Sequence, residues 1–315
     1  MSKVLTVFGA TGKQGGSVVQ TILADKKLSS EFTIRAVSRD INKPAAKELA
    51  AKGVEMVAAH STLNLGFSQA DLSDADSLAS AVQGSHTVFV VTNFWETMSA
   101  ETEELQGRAV TNAAKAAGVQ HIIFSALLNV SEASGGRLKH IVHFDSKARI
   151  AQYMRDSGVP CSFVWPGAFM DDFVQYIRKS GDDEYILALP IDGDKAQMPL
   201  FLASADMGKF VKLAIVNYPK YVGKDIFAAA GYLTPNQLMA EWSEATGKKG
   251  KYVQLPEDVF KSHMPPPAAQ LIYENMLLMQ DPGYFAMGEL APFLNAVDEK
   301  PTTWKEFARA NQDKW

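Results

Sequence analysis

Residues 4–16 read VLTVFGATGKQGG, and this stretch decides the fold class of the chain. Its first part, VLTVF, is apolar and rich in β-branched residues and stops at a glycine, which predicts a buried strand. Apolar side chains then recur at helical spacing from Lys13 to Ala24, which predicts a helix that begins directly after the turn. A strand followed so closely by a helix is typical of a parallel sheet with helical crossovers.

The turn between this strand and this helix has the spacing of a phosphate-binding loop. Gly9 allows the chain to turn sharply, and Gly12 lets the backbone approach a pyrophosphate without a Cβ in the way. Gly15 permits the helix to pack closely on the strand, and the first N–H groups of the helix offer a positive end to the phosphates. The pattern predicts a dinucleotide site, and a purely structural glycine turn is the alternative.

The alternation of strands and helices continues along the chain. Strands are expected at 33–38, 54–57, 87–91, 121–125, 162–165 and 226–230. Helices are expected at 44–52, 99–117, 144–156 and 206–216, and after capping boxes that begin at Thr234 and Thr303. The predicted fold is α/β: a Rossmann-type, doubly wound parallel sheet with a smaller, partly helical C-terminal lobe. The predicted domains are a nucleotide-binding domain at 1–157 and a lobe at 158–315 that faces the substrate or partner and shares strands with the first domain.

Composition and charge exclude several functional classes. The net charge is −4 and no block is rich in Lys or Arg, so direct nucleic-acid binding is not expected. The apolar runs are too short to span a bilayer, and the first strand leaves no room for a signal peptide, so we expect a cytoplasmic protein, with the nucleus as a second location, and no membrane partner. The single cysteine, Cys161, lies in an apolar run and is expected to be a buried, unreactive thiol. No histidine belongs to a full set of zinc ligands, so no metal site is expected.

The end of the second strand distinguishes the two nicotinamide dinucleotides. An acidic residue at this position binds the ribose hydroxyl of NAD, whereas this chain has Val37-Ser38-Arg39. The planar guanidinium of Arg39 suits bidentate pairing with a 2′-phosphate, and Ser38 and Lys43 are close in sequence. We therefore expect NADP(H) as the cofactor. The alternative is that Arg39 is a solvated surface charge.

Several stretches together make almost the whole chain resemble the NmrA-like family of atypical short-chain dehydrogenases. They are GATGKQGGSVV at 9–19, AVSRD at 36–40, QADLSD at 69–74, VTNFWE at 91–96, HFDSKA at 143–148 and PGAFMDDF at 166–173. The resemblance implies a Rossmann domain and a small C-terminal lobe, with the nucleotide in the cleft between them. It also implies two kinds of relative: regulators that bind dinucleotides and act through protein partners, and reductases that transfer hydride from NADPH.

Carried over by position, the resemblance implies a set of cofactor contacts. Those at the phosphates are Gly9, Thr11, Gly12, Lys13, Gln14, Gly15 and Arg39. Those elsewhere are Asp71 and Leu72 by the adenine, Asn93 and Phe94 at the ribose, and Lys147, Pro166 and Gly167 near the nicotinamide. The chain departs from the family pattern at residues 58–68, AAHSTLNLGFS, which precede the acidic-Leu motif. This insertion is either a surface loop peculiar to the chain or an artefact of gene prediction.

The catalytic pattern of the superfamily is altered in this chain. Short-chain dehydrogenases use Tyr-x-x-x-Lys on a helix, where the tyrosine donates a proton and the lysine lowers its pKa and holds the ribose. Here His143 and Lys147 take those positions, and Ser125 falls where the family has a polar residue that orients the substrate. In an enzyme, Lys147 or His143 would be the proton donor. In a sensor, Lys147 would only anchor the ribose, and His143 would pack without a catalytic role.

An apolar pocket is expected next to these residues. Phe169, Met170 and Phe173 are predicted to line it, together with Met198, Phe201, Met276, Met279, Tyr284 and Phe285 from the lobe. The alternative for each of them is an ordinary core position. The leading hypothesis is an NADPH-dependent oxidoreductase that reduces a hydrophobic carbonyl, enone or quinone. The alternative is a non-enzymatic redox sensor that binds NADP(H) and signals through a regulatory protein partner.

Overall fold

The fold is that of a computed structural model, which describes residues 2–38, 40–58, 75–181 and 184–315. These residues form two compact units, each assembled from several segments of the chain. Unit 1 takes its residues from 1–127, 146–165 and 207–226, and unit 2 from 128–145, 166–206 and 227–315. The contiguous domains expected from the sequence, 1–157 and 158–315, stay a prediction.

The strands of the described residues are numbered in chain order. They are β1 (Lys3–Phe8), β2 (Phe32–Ser38), β3 (Glu55–Ala58), β4 (Thr87–Val90), β5 (His121–Ser125), β6 (Cys161–Pro166), β7 (Ala168–Phe169), β8 (Ile177–Lys179), β9 (Glu184–Leu189), β10 (Met198–Phe201), β11 (Asp225–Ala228), β12 (Gly231–Leu233) and β13 (Lys249–Gln254).

The helices are numbered in the same way. They are α1 (Lys13–Ala24), α2 (Lys26–Glu31), α3 (Pro44–Ala51), α4 (Ala75–Val82), α5 (Phe94–Thr97), α6 (Ala100–Ala116), α7 (Val130–Ala133), α8 (Val142–Asp156), α9 (Met170–Tyr176), α10 (Ala203–Val216), α11 (Pro235–Thr246), α12 (Glu257–Ser262), α13 (Pro266–Leu277), α14 (Ala291–Leu294) and α15 (Trp304–Ala310), followed by a 3-10 turn at Gln312–Lys314. Within the described ranges, no helix is both long and apolar enough to cross a membrane.

The main sheet has the doubly wound topology that the sequence predicts. Its strand order is β11-β6-β5-β4-β1-β2-β3, and the neighbouring pairs from β3 across to β6 are parallel. Successive strands move outward from β1 to β3 on one side and from β4 to β6 on the other. The order therefore reverses between β1 and β4, and in α/β sheets the carboxyl ends of strands at such a point are where ligands bind.

The core of unit 1 is built on both faces of this sheet. Every residue of β4 and β5 is buried, as expected for parallel strands covered by helices on both sides. Cys161, at the start of β6, belongs to this core, and burial raises the pKa of its thiol to about 12. The predicted burial of Cys161 is confirmed, and its low reactivity stays a prediction.

Unit 2 contains two small sheets and several helices. The sheets have the strand orders β12-β10-β7 and β13-β9-β8, and both predicted capping boxes open helices, α11 at Thr234 and α15 at Thr303. The sequence showed no period between residues 264 and 293, yet α13 forms there. Its period is obscured because a carboxylate, Glu274, takes one of the buried positions of this helix and is only 4% exposed.

Candidate functional site

The turn after β1 is built so that only glycine fits at its key positions. Gly9 has a φ of +66°, and its carbonyl oxygen accepts a hydrogen bond from the N–H of Gly12 at 2.9 Å. A Cβ on Gly15 would lie 2.3 Å from that same oxygen, so helix α1 packs directly against the backbone of the turn. A Cβ on Gly9 would come within 2.8 Å of Val91, which follows β4. The turn therefore lies at the switch point of the sheet.

The N-terminus of α1 has the properties of an anion site. Gly12 is the residue before the helix and, among the described residues, no side chain caps it; the first turn contains no acidic residue. Thr11, Gly12 and Lys13 are exposed. Because the first N–H groups of a helix and its dipole favour negative charge, these residues fit the phosphates of a dinucleotide.

Ser125 lies against the phosphate turn. It is the last residue of β5, is 1% exposed, and its hydroxyl donates a hydrogen bond to Oε1 of Gln14 at 2.7 Å. Two residues predicted separately, one for substrate and one for cofactor, are thus brought into direct contact. This contact gives Ser125 a further role in orienting Gln14, and its predicted contact with substrate stays a prediction.

Lys147 is enclosed by acceptors at the end of β4. Its ammonium donates to the carbonyl oxygen of Thr92 at 2.9 Å, to Oγ1 of Thr92 at 2.7 Å, and to the carboxylate of Glu103. An ammonium has three N–H groups, so these contacts account for all of them. Burial lowers the pKa of Lys147, and the adjacent Glu103 carboxylate opposes this shift.

Glu103 belongs to the candidate site and was not predicted from the sequence. It is 1% exposed and also accepts hydrogen bonds from Oγ1 of Thr92 at 2.7 Å and from the hydroxyl of Ser146. It lies on α6 in the helical row that continues with Gly107, Val110 and Ala114, all of which are buried. An acidic residue on the apolar face of a helix was the signal that could have revealed it.

Helices α6 and α8 run parallel and bring Glu103 to Lys147. A Cβ on Gly107 would lie 2.5 Å from the side chain of Ile150, so the glycine lets the helices approach closely. Further along, Tyr153 donates to Asn112 at 2.8 Å. The contacting pairs are therefore 103 with 147, 107 with 150 and 112 with 153, and because both numbers rise together the two helices run in the same direction.

The start of α8 contains two more residues of the HFDSKA stretch. Asp145 is 4% exposed and accepts hydrogen bonds from the N–H groups of Val130 at 2.8 Å and Ser131 at 3.1 Å, so it fixes the start of α7. His143 is 7% exposed, and its ring packs edge-on against Phe144 with 5.0 Å between centroids. His143 precedes Lys147 by one helical turn, as the sequence spacing predicted.

The predicted nicotinamide and pocket residues of unit 2 have mixed surroundings. A Cβ on Gly167 would lie 2.1 Å from the carbonyl oxygen of Pro199, so a close approach of the backbone to β10 requires this glycine. Met170 is fully buried, and Phe173 packs against Trp304 at 5.8 Å between centroids. Phe169 keeps intermediate exposure. The proposed contacts of Pro166, Gly167 and these three side chains with ligands stay predictions.

The remaining predicted cofactor residues divide into two groups. Asn93 is exposed directly after the Thr92 that binds Lys147, and Phe94 is buried. Arg39, Asp71 and Leu72 lie outside the described residues, as does the insertion beyond its first residue, Ala58. Among the residues that the structure does describe, no group of three or more His, Cys, Asp or Glu is arranged to hold a metal ion.

Comparison with known proteins identifies the family. The model of the NmrA-like family matches residues 1–308. The chain belongs to the NmrA-like family. Among its curated relatives, the NmrA-like family domain-containing oxidoreductase malD of Malbranchea aurantiaca is 32% identical over 80% of this chain and 76% of its own length. The oxidoreductase ptmS of Penicillium ochrochloron is 30% identical over 79% of this chain and 75% of its own length.

Solved structures share the fold of this NmrA-like protein. NmrA, a negative transcriptional regulator solved in complex with NADP, has a TM-score of 0.81 at 20% identity and covers 99% of this chain, with 96% of its own length matched. An NADPH-dependent quinone oxidoreductase of Escherichia coli, solved with NADPH, has a TM-score of 0.75 at 20% identity, with 97% of this chain and 99% of that chain covered.

Proposed function

We propose that this NmrA-like protein binds NADP(H) and is an NADPH-dependent oxidoreductase that reduces a hydrophobic carbonyl, enone or quinone. The observation that carries the proposal is the glycine-built turn after β1, whose uncapped helix N-terminus lies at the switch point of the sheet. Curated relatives at 32% and 30% identity have the name oxidoreductase, which supports an enzymatic role.

The residues of the turn would hold the cofactor phosphates. The backbone N–H groups at the start of α1 bind the pyrophosphate, and Gly9, Gly12 and Gly15 keep the backbone close enough to do so. Gln14, held by Ser125, contributes a side-chain amide next to these N–H groups. Arg39 pairs with the 2′-phosphate that distinguishes NADP(H) from NAD(H).

In this proposal Lys147 positions the cofactor-binding segment and His143 is the proton donor. When bound, NADPH supplies a hydride to an electrophilic carbon of the substrate. Lys147 holds the segment after β4 through both oxygens of Thr92, and so positions Asn93 for the ribose. His143 gives its proton to the substrate oxygen, because an imidazolium is a competent acid near neutral pH.

Calorimetric titration with NADPH, NADP⁺, NADH and NAD⁺ tests the cofactor. We expect binding of the phosphorylated pair, weakened by Arg39→Ala and unaffected by Lys47→Ala, which removes an exposed charge from α3. The loss of one charge-assisted contact predicts a weakening of about 10- to 100-fold. Absence of binding by every dinucleotide would refute the proposal.

Turnover tests the reaction. The loss of NADPH absorbance is followed with a panel of quinones, enones and aromatic carbonyls. Substrate-dependent oxidation in the wild type, lost in Lys147→Ala and reduced in His143→Gln, is the expected result. Oxidation that survives Lys147→Ala would remove the role proposed for this lysine.

A redox sensor that binds NADP(H) and signals through a protein partner is the second candidate. Its specific support is that Lys147 is fully engaged by Thr92 and Glu103, and that His143 replaces the tyrosine of the Tyr-x-x-x-Lys pattern. The fold similarity to NmrA, a transcriptional regulator, agrees with this candidate. It predicts a captured partner whose affinity depends on the NADPH to NADP⁺ ratio, and equal affinity at both extremes would count against it.

A further inference from the structure

A buried polar cluster within unit 1 joins α6 and α8 to the segment after β4. Its members are Glu103 on α6, Ser146 and Lys147 on α8, and Thr92, and all four are buried. The ammonium of Lys147 donates to the carbonyl oxygen of Thr92 at 2.9 Å, and the hydroxyl of Thr92 donates to Glu103 at 2.7 Å. The hydroxyl of Ser146 donates to the other carboxylate oxygen of Glu103. Hydrogen bonds to charged groups are stronger than neutral ones, so the cluster holds these three elements firmly together.

The bond from Lys147 to Thr92 fixes the peptide unit that leads into Asn93. The carbonyl oxygen of Thr92 belongs to the same planar unit as the N–H of Asn93, so a hydrogen bond to this oxygen restricts the orientation of that plane. Glu103 stabilises the ammonium in this buried position, because its carboxylate accepts another N–H and balances the charge. Burial lowers the pKa of Lys147, and the Glu103 carboxylate opposes this shift. Glu103 therefore maintains the charge that holds Thr92.

The side chain of Asn93 is accessible to a ligand. Asn93 is exposed and directly precedes α5, a position where an asparagine side chain commonly caps the helix. Among the residues that the structure describes, this side chain makes no capping hydrogen bond. Its amide oxygen and amide N–H groups are thus not used to begin the helix.

The segment that contains Asn93 lies beside the phosphate turn. Strands β1 and β4 are parallel neighbours with Val7 opposite Phe89, so Gly9 follows β1 at the level where Val91 follows β4. A Cβ on Gly9 would lie 2.8 Å from the side chain of Val91. A ligand whose phosphates bind at the N-terminus of α1 is therefore adjacent to the segment after β4.

We propose that Glu103 is a positioning residue of the dinucleotide site. It acts through Lys147 and Thr92, and the residue that it positions is Asn93, whose side-chain amide binds a ribose hydroxyl of NADP(H). This proposal rests on the proposed function and deepens it, because it assigns the ribose contact to Asn93 and not to Lys147. The three N–H groups of the ammonium are already used by Thr92 and Glu103. A hydroxyl both donates and accepts, and an amide group matches it in both respects.

Calorimetric titration with NADPH, below the melting transition of each variant, tests the proposal. Asn93→Ala removes the amide and should raise Kd about 2- to 10-fold, as expected for one neutral hydrogen bond. Glu103→Gln should raise Kd by a similar factor, because the ammonium of Lys147 loses its counter-charge and its bond to Thr92 weakens. Glu104→Gln is the matched control on the same helix: Glu104 pairs with the exposed Arg149, and Kd should be unchanged.

The decisive comparison adds Glu103→Gln to Asn93→Ala. If Glu103 acts through Asn93, the second substitution leaves the Kd of Asn93→Ala unchanged. A merely structural effect of Glu103 would raise Kd in both backgrounds, and that result overturns the proposal. An unchanged Kd in Asn93→Ala alone, or in Glu103→Gln alone, also overturns it.

A second variant covers the possibility that Glu103→Gln does not fold. Glu103→Gln/Lys147→Met leaves no uncompensated buried charge and takes the place of Glu103→Gln in the same comparison. A rise in Kd that persists in the Asn93→Ala background would show that Lys147 contacts the cofactor itself, which overturns the proposal. Normal NADPH binding by every Glu103 variant overturns only the role of Glu103 and leaves the cofactor site intact. Failure of the wild type to bind NADPH refutes the proposed function, and the Glu103 proposal falls with it.

Discussion

Neutralising Glu103 tests the importance of the buried ion pair with Lys147. In Glu103→Gln the shape of the side chain is kept, but the ammonium of Lys147 loses its counter-charge in a site where Glu103 is 1% exposed. Removing one charge of a buried ion pair lowers the free energy of unfolding by about 3–5 kcal/mol, because the other charge stays buried without a partner. At about 2 °C per kcal/mol for a chain of this size, the melting temperature should fall by about 6–10 °C.

A surface pair on the same two helices provides the control. Arg149 donates to Glu104 at 2.6 Å, one residue further along α6, with the arginine 46% exposed. Because solvent screens such a pair, Glu104→Gln should cost less than about 1 kcal/mol. Thermal unfolding is measured for Glu103→Gln and Glu104→Gln, and also for Lys147→Met and the double variant Glu103→Gln/Lys147→Met.

The double variant distinguishes a coupled pair from two independent contacts. Removal of both charges leaves no uncompensated ion, so the double variant should be less destabilised than the sum of the two single variants. Equal melting temperatures for Glu103→Gln and Glu104→Gln, or strictly additive effects in the double variant, would refute the coupling inferred from the hydrogen bonds.

Three further predictions concern the turn, its support and the cysteine. Gly15→Ala should lower the free energy of unfolding by about 1–3 kcal/mol and weaken NADPH binding, because the added Cβ would lie 2.3 Å from the carbonyl oxygen of Gly9. In Gly16→Ala the nearest atom to the added Cβ is 3.4 Å away, so this variant should behave as wild type. Calorimetry and thermal unfolding compare the two variants. Ser125→Ala should weaken NADPH binding about 2- to 10-fold through the lost contact with Gln14, and an unchanged calorimetric Kd would contradict that role. The Cys161 thiol, with its pKa of about 12, should resist maleimide at mildly alkaline pH until the protein is unfolded, and rapid labelling of the native protein would show that the thiol is accessible.

The first strand, the glycine turn, the helix after it and the doubly wound fold class were predictable from the sequence. These features depend on local signals: the period of apolar residues, and glycines whose missing Cβ atoms permit one backbone path. The bounds of α1 (Lys13–Ala24) and β5 (His121–Ser125) agree with the prediction for the same reason. The sequence stretches quoted for the NmrA-like resemblance also predicted membership of that family, and the match of the family model to residues 1–308 confirms the prediction.

Which side chains contact each other became visible only in the three-dimensional structure. Glu103 and Lys147 are 44 residues apart, and nothing in either helix alone reveals that α6 and α8 run parallel and bring these charges together. Position 167 must be glycine because a Cβ there would collide with the carbonyl oxygen of Pro199. The ring of Tyr284 contacts the ring of Phe144, although Tyr284 lies in a loop whose sequence has no period. Contacts of this kind depend on which faces pack against each other, and a periodic pattern specifies a face without specifying its partner.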